Sequence, residues 1–160
     1  MERLWTPWRM SYIKGADSAE SCFLCDAPDL DEDDRTYILA RGKSAFVILN
    51  IYPYNTGHIM VAPYRHVADL EALEPEEGLE GFALLRASVE ALKQAFEPQG
   101  FNIGMNLGRV AGAGVPDHLH FHVVPRWGGD TNFMPVLGAT KVLPELLDET
   151  YAKLRPLFEG

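Results

Sequence analysis

Basic residues, long apolar runs and cysteine are all scarce in this chain, and each scarcity removes a class of protein. Fourteen Lys and Arg stand against 23 Asp and Glu, a formal net charge of −9. That balance argues against broad, sequence-independent binding to nucleic acid. It leaves room for a small phosphorylated ligand, whose site needs only a few converging donors. No apolar run approaches the roughly eighteen residues of a membrane span, so no membrane partner is expected. The stretch from Met1 to Met10 has neither an apolar core nor a small-residue cleavage site, so it does not read as a secretory signal, and the expected location is the cytoplasm. The two cysteines occur as Cys22-Phe23-Leu24-Cys25. In a reducing compartment that spacing suggests a metal or redox pair more than a disulfide, and zinc would need two further ligands from elsewhere. What remains, 160 residues with 47% hydrophobic and 23% charged, suits one globular domain with a sizeable core.

No internal repeat or linker divides the chain, which reads as an arm, 1–20, followed by a single domain, 21–160. The arm carries Trp5, Trp8 and Tyr12 with Arg3, Arg9 and Lys14, and is expected to cover apolar surface of its own or a partner subunit. Three apolar stretches follow an acidic loop: Tyr37 to Ala40, Ala45 to Leu49, and His58 to Val61. Gly42-Lys43 suits a hairpin turn between the first two, and the Pro-, Asn- and Gly-rich segment 50–57 joins the second to the third. From Pro75 to Phe96 the residues Phe82, Leu85, Val89, Leu92 and Phe96 recur at helical spacing, which predicts one long helix buried along that face. Glu76, Glu77 and Glu80 fall in its first turns, where the helix dipole favours negative charge. A fourth strand is predicted over Phe101 to Leu107, a glycine-rich loop over Gly108 to Pro116, a fifth strand over His118 to Val124, and a loop over Trp127 to Asn132. A C-terminal helix is predicted from Leu143 to Leu157, burying Leu146, Tyr151 and Leu154. The sum is an α+β domain: an antiparallel five-stranded sheet with helices packed on it.

Three of the five histidines alternate in His118-Leu119-His120-Phe121-His122-Val123-Val124. On a strand they share one face, while Leu119, Phe121 and Val123 turn into a core. Such a row is costly as packing alone, because each ring carries polar nitrogens that need partners. Neighbouring members could chelate a metal, but the outer two lie roughly 13 Å apart at strand rise, so one ion cannot take all three. A row of structural histidines is the second reading. The third is nucleophilic catalysis, since imidazole with a pKa of about 6.5 is largely uncharged at neutral pH and can carry a phosphoryl or nucleotidyl group.

His-x-His-x-His followed by two apolar residues resembles the signature of the histidine-triad (HIT) nucleotide-binding family. The resemblance implies the family's five-stranded fold, paired into a homodimer with continuous sheets. It implies that His120 attacks the α-phosphorus of a nucleotide and that His122 contacts phosphate oxygens. Gly57-His58 matches a further family histidine, giving His58 a second phosphate contact, and Asn106 and the loop glycine Gly114 resemble others. Asn50 stands where relatives bind ribose, and the run from Phe46 to Leu49 resembles the wall of the base pocket, with Trp127 a further candidate at the nucleoside. A zinc-bearing branch adds two histidines to a Cys-x-x-Cys pair, which here implies structural zinc on Cys22, Cys25, His66 and His118. The loop Ala111 to Asp117 lacks the Gln and hydroxyl residue that many relatives place before the triad, so backbone N–H groups would replace them. That loop, the arm motif Leu4-Trp5-Thr6-Pro7-Trp8-Arg9 and Val124-Pro125-Arg126-Trp127 are similar to a bacterial subgroup resembling dinucleoside polyphosphate phosphorylases. The implied reaction is cleavage of a dinucleoside polyphosphate through a nucleotidyl-histidine, by phosphorolysis or hydrolysis. Phosphoramidate hydrolysis and a non-catalytic zinc-bearing nucleotide binder are the alternatives.

Overall fold

Ala45 to Leu49 is apolar at every position, with no polar alternate face, and such a strand must be covered on both sides. It becomes β2, a strand buried throughout, in the computed structural model, which describes residues 22–130 and 143–159. The arm 1–20 and the Thr131-Asn132 end of the second loop lie outside the described residues. β1 (Ile38–Arg41), β2 (Ala45–Leu49), β3 (Ile59–Pro63), β4 (Gly100–Met105) and β5 (Phe121–Arg126) form one sheet in the order β1-β2-β3-β5-β4. All neighbours are antiparallel. Among the described residues four α-helices accompany it: α1 (Phe23–Asp29), the single turn α2 (Asp33–Thr36), α3 (Pro75–Phe96) and α4 (Leu147–Leu154). No helix among the described residues is long and apolar enough to cross a membrane.

Strand alternation sorts the core into two clusters. Val47, Leu49, Ile59, Val61 and Val123 pack with Leu85, Ala91 and Leu92 of α3 and with Leu154 of α4. Ile38, Phe46, Ile48, Met60 and Ala62 pack on the opposite face with Leu24 and Ala27 of α1. His122 lies directly across from Met60 in the β3–β5 register, and opposed residues share a face. Residue 58 shares that face with residue 60 by alternation. The two histidines therefore meet on the side of the sheet away from α3.

Several expectations shift. β5 begins at Phe121 rather than His118. Continuing its register would set Leu119 opposite Pro63, which has no N–H for the ladder, and Leu119 N–H instead bonds the Val67 carbonyl at 2.7 Å. β1, β3 and β4 are each offset by one or two residues from the predicted stretches. α3 spans the predicted residues, with a capping box formed by Glu74 and Glu77, but its buried line runs through Gly81, Leu85, Ser88, Ala91 and Leu92. Val89 and Phe96 of the predicted face pack against the core, but Phe82 is 63% exposed, and on that turn Gly81 is the buried residue. The C-terminal helix starts at Leu147, so Leu146 caps it from outside and is exposed. Tyr151 and Leu154 do pack on the core.

The β1–β2 hairpin turns through Gly42, Lys43 and Ser44, closed by Gly42 N–H to the Ala45 carbonyl at 2.8 Å. These three residues also spell the end of a phosphate-binding loop, but Tyr37 stands where that motif needs glycine. Here the Glu80 carboxylate of α3 takes the Lys43, Ser44 and Ala45 N–H groups and the Ser44 hydroxyl.

Candidate active site

Hydrogen bonds to groups that can only accept, or only donate, fix the protonation of each imidazole nitrogen. His120 is buried, and its Nδ1–H donates to the His118 carbonyl at 2.8 Å. Its Nε2 therefore carries the lone pair. Burial lowers the His120 pKa against the opposing pull of that carbonyl, so the ring is neutral at physiological pH. On β3's approach, the Tyr54 N–H donates to His58 Nδ1 at 3.0 Å. His58 Nε2–H then donates to His122 Nδ1 at 2.9 Å, which leaves the hydrogen of neutral His122 on its own Nε2. Burial, helped by the neighbouring His120, pushes the His122 pKa down to about 4. The His120 and His122 ring centroids lie 4.8 Å apart, those of His58 and His122 5.0 Å. The result is a neutral imidazole with its lone pair on Nε2, beside two imidazoles linked in a chain.

His118 is turned to a different task. Its Nε2–H donates to the Pro63 carbonyl at 2.8 Å, which leaves Nδ1 free of hydrogen and 3.4 Å from both Cys22 Sγ and Cys25 Sγ. His66 Nδ1 is 3.3 Å from Cys25 Sγ. The four ligand atoms all lie within 4.8 Å of one another. Zinc–sulfur and zinc–nitrogen bonds at a tetrahedral angle put S and N about 3.5 Å apart, so this donor set fits such an ion. Burial, then the Cys22 and nearby Asp charges, push the Cys25 thiol up to about 11; a cation on these donors would oppose that rise. These four residues could hold a metal, and they join α1 to the segment that delivers His120.

Other candidate positions are more scattered. Asn50 follows β2, its N–H donating to the His58 carbonyl at 2.9 Å and its Oδ1 accepting the Tyr52 N–H at 2.8 Å. Phe46 lies on the histidine side but is fully buried and stacked on Tyr64 at 5.2 Å between centroids. Leu49 must be corrected: it packs against α3 on the other face and cannot touch a ligand beside the histidines. Alternation along β2 gives that side to Ile48 instead. Asn106 is half-buried just beyond β4. Gly114 is exposed in the following loop, with open space where a Cβ would be; the left-handed glycines there are Gly108 (φ 76°) and Gly112 (φ 89°). The Trp127 indole N–H donates to the Phe96 carbonyl at the end of α3, at 3.3 Å.

Tyr54 escaped the sequence reading as a site residue. Its ring is half exposed and lies 4.7 Å from the His58 ring and 5.9 Å from that of His122. A loop residue carries no periodic signal; the available hint was two tyrosines in the turn just before Gly57-His58.

Known proteins and solved structures resemble this chain over most of its length. The HIT domain profile matches residues 32–129. A Mycobacterium tuberculosis protein named AP-4-A phosphorylase is 43% identical, over 94% of this chain and 80% of its own length. The asymmetrical bis(5'-nucleosyl)-tetraphosphatase of Schizosaccharomyces pombe is 33% identical over 58% of this chain and 50% of its own. Among solved structures, a zinc-bound histidine triad family protein from Mycobacterium smegmatis superposes with a TM-score of 0.69 at 27% identity, covering 87% of this chain and 94% of that one.

Proposed function

The chain belongs to the HIT domain family, and on that footing we propose that it cleaves dinucleoside polyphosphates such as diadenosine tetraphosphate by phosphorolysis. The observation that carries this reading is the His120 tautomer. The His118 carbonyl holds the ring hydrogen on Nδ1, so Nε2 is ready to attack without losing a proton. Attack on the α-phosphorus forms a phosphorus–nitrogen bond and breaks the bond to the bridging oxygen. ATP leaves and an adenylyl group stays on His120. Inorganic phosphate then attacks the same phosphorus, giving ADP and returning His120, so diadenosine tetraphosphate plus phosphate becomes ATP plus ADP. Charge that builds on the phosphate oxygens is met by the His122 Nε2–H, backed by the His58–His122 bond. Asn106 and backbone N–H groups around Gly114 add donors, and Asn50 takes the ribose hydroxyls.

The phosphorylase reading is supported by the mycobacterial relative at 43% identity, whose match extends well beyond the triad. Cys22, Cys25, His66 and His118 hold structural zinc, a cross-link that stiffens the approach to His120. Thiolate ligands of this kind suit the reducing cytoplasm. β4 lies at the edge of the sheet with Ile103 51% exposed. Pairing it with the same strand of a second copy would continue the sheet through a dimer and cover that edge.

The test is product analysis of diadenosine tetraphosphate with and without inorganic phosphate. ATP plus ADP appearing only with phosphate supports the proposal. AMP plus ATP without phosphate means that water resolves the intermediate. No cleavage of the tetraphosphate, with release of AMP from adenosine phosphoramidate, would replace it by phosphoramidate hydrolysis.

A further inference from the structure

Asn55 lies in the turn before β3 and is 8% exposed. Its side-chain amide donates to the Pro125 carbonyl at 3.0 Å and to Asp130 Oδ2 at 2.8 Å. Asp130 is itself held at the end of β5. It accepts Arg126 Nε–H at 2.7 Å, Arg126 Nη2–H at 2.8 Å and the Trp127 N–H at 3.1 Å. Arg126 also donates to Asn102 Oδ1 on β4 at 2.8 Å, so this clamp is anchored to two strands. The backbone of the pinned residue faces the site: the His58 N–H donates to the Asn55 carbonyl at 3.1 Å. One residue earlier, the Tyr54 N–H meets His58 Nδ1.

The two ends of this path have different chemistry. At one end a carboxylate and a buried amide fix a turn; at the other a single N–H decides which nitrogen of His58 carries hydrogen. If Tyr54 N–H leaves Nδ1, the Nδ1–H tautomer of His58 becomes accessible. Its Nε2 would then confront the lone pair of His122 Nδ1, and the hydrogen bond between the rings would be lost or reversed. A reversed bond places a lone pair on the His122 nitrogen that should donate to phosphate.

We propose that Asn55 and Asp130 are positioning residues for the His58–His122 pair: by pinning the turn they keep Tyr54 N–H on His58 Nδ1 and impose the tautomer chain that ends in a hydrogen-bond donor to phosphate on His122. Neither residue touches the reacting atoms, so both act through the turn. Only the activity readout rests on the function proposed above; the tautomer readout stands apart from it.

The experiment compares Asn55→Ala and Asp130→Asn with the parent protein. Long-range proton–nitrogen spectra of the imidazoles, recorded without substrate, report which nitrogen is protonated. The parent should show His58 as the Nε2–H form, and both variants a mixture at His58 and His122. With diadenosine tetraphosphate and phosphate, kcat should fall roughly tenfold to a hundredfold while KM moves less than about threefold. A single Nε2–H tautomer retained in both variants overturns the proposal, and so does a rate loss that merely follows the melting temperature. Asp130→Asn keeps the shape of the side chain, so it decides the matter if Asn55→Ala does not fold. Should the parent fail to cleave the tetraphosphate, the functional proposal falls, and the spectra alone judge the clamp.

Discussion

Replacing Glu80 with Ala should uncouple the long helix from the first hairpin. The carboxylate accepts the Lys43 N–H at 2.8 Å, the Ser44 N–H at 2.5 Å, the Ala45 N–H at 3.0 Å and the Ser44 hydroxyl at 2.6 Å. Partial burial pushes its pKa up, but the Ser44 hydroxyl and the three N–H donors outweigh that and bring it from 4.5 down to about 2. A depression of that size corresponds to at most roughly 3 kcal/mol, and solvent access at the hairpin reduces it to about 2 kcal/mol. The sign follows from proton linkage. The unfolded carboxyl takes up its proton near pH 4.5 and the folded one only near 2, so the stabilisation is complete above 4.5 and fades as pH falls towards 2. Urea unfolding at pH 7 should show the variant about 2 kcal/mol less stable, a shift of several degrees in melting temperature. Repeated near pH 2.5, the difference should shrink to less than half. A gap that is independent of pH, or below about 0.5 kcal/mol at pH 7, would refute the pinning role.

Three further outcomes are expected. The acid limb of kcat/KM for diadenosine tetraphosphate should lie below pH 6.5, because burial lowers the pKa of both His120 and His122 from that value; a limb centred at 6.5 would mean that the imidazoles titrate as free groups. Metal analysis of the parent should find stoichiometric zinc, and Cys25→Ser should lose it and lower the melting temperature by roughly 10 °C; a parent without zinc, or an unchanged metal content in the variant, would remove the cluster from the account. Ile103→Arg at the β4 edge should convert a dimer into monomers in sedimentation, whereas a monomeric parent would show that the edge is left unpaired.

How far the sequence could be read depends on whether a residue's role follows from spacing or from partners distant in the chain. The Cys-x-x-Cys pair and the triad were visible as local patterns. The long helix was visible through its period and its first-turn glutamates. The alternating triad misled in one respect, because Pro63 on the neighbouring strand cuts the ladder short and hands His118 a carbonyl. Phe82 fitted the helical period, yet it is exposed, because the buried line of the helix passes through Gly81 on that turn. Leu49 was assigned to the ligand face because a fully apolar strand gives no alternation from which to tell its two faces apart. Glu80, Asn55 and Asp130 read as a first-turn acid and two loop residues. Their partners lie tens of residues away, and only the folded chain brings them together.

The most direct test of the chemistry is to look for the covalent intermediate. The protein is mixed rapidly with diadenosine tetraphosphate in the absence of phosphate, quenched in alkali, digested and examined by mass spectrometry. An adenylyl group on His120, joined through Nε2 and released as ADP when phosphate is supplied before the quench, is the expected result. Turnover in phosphate with no adduct at His120, an adduct on another side chain, or undiminished turnover by His120→Ala would contradict the assignment of His120 as the nucleophile.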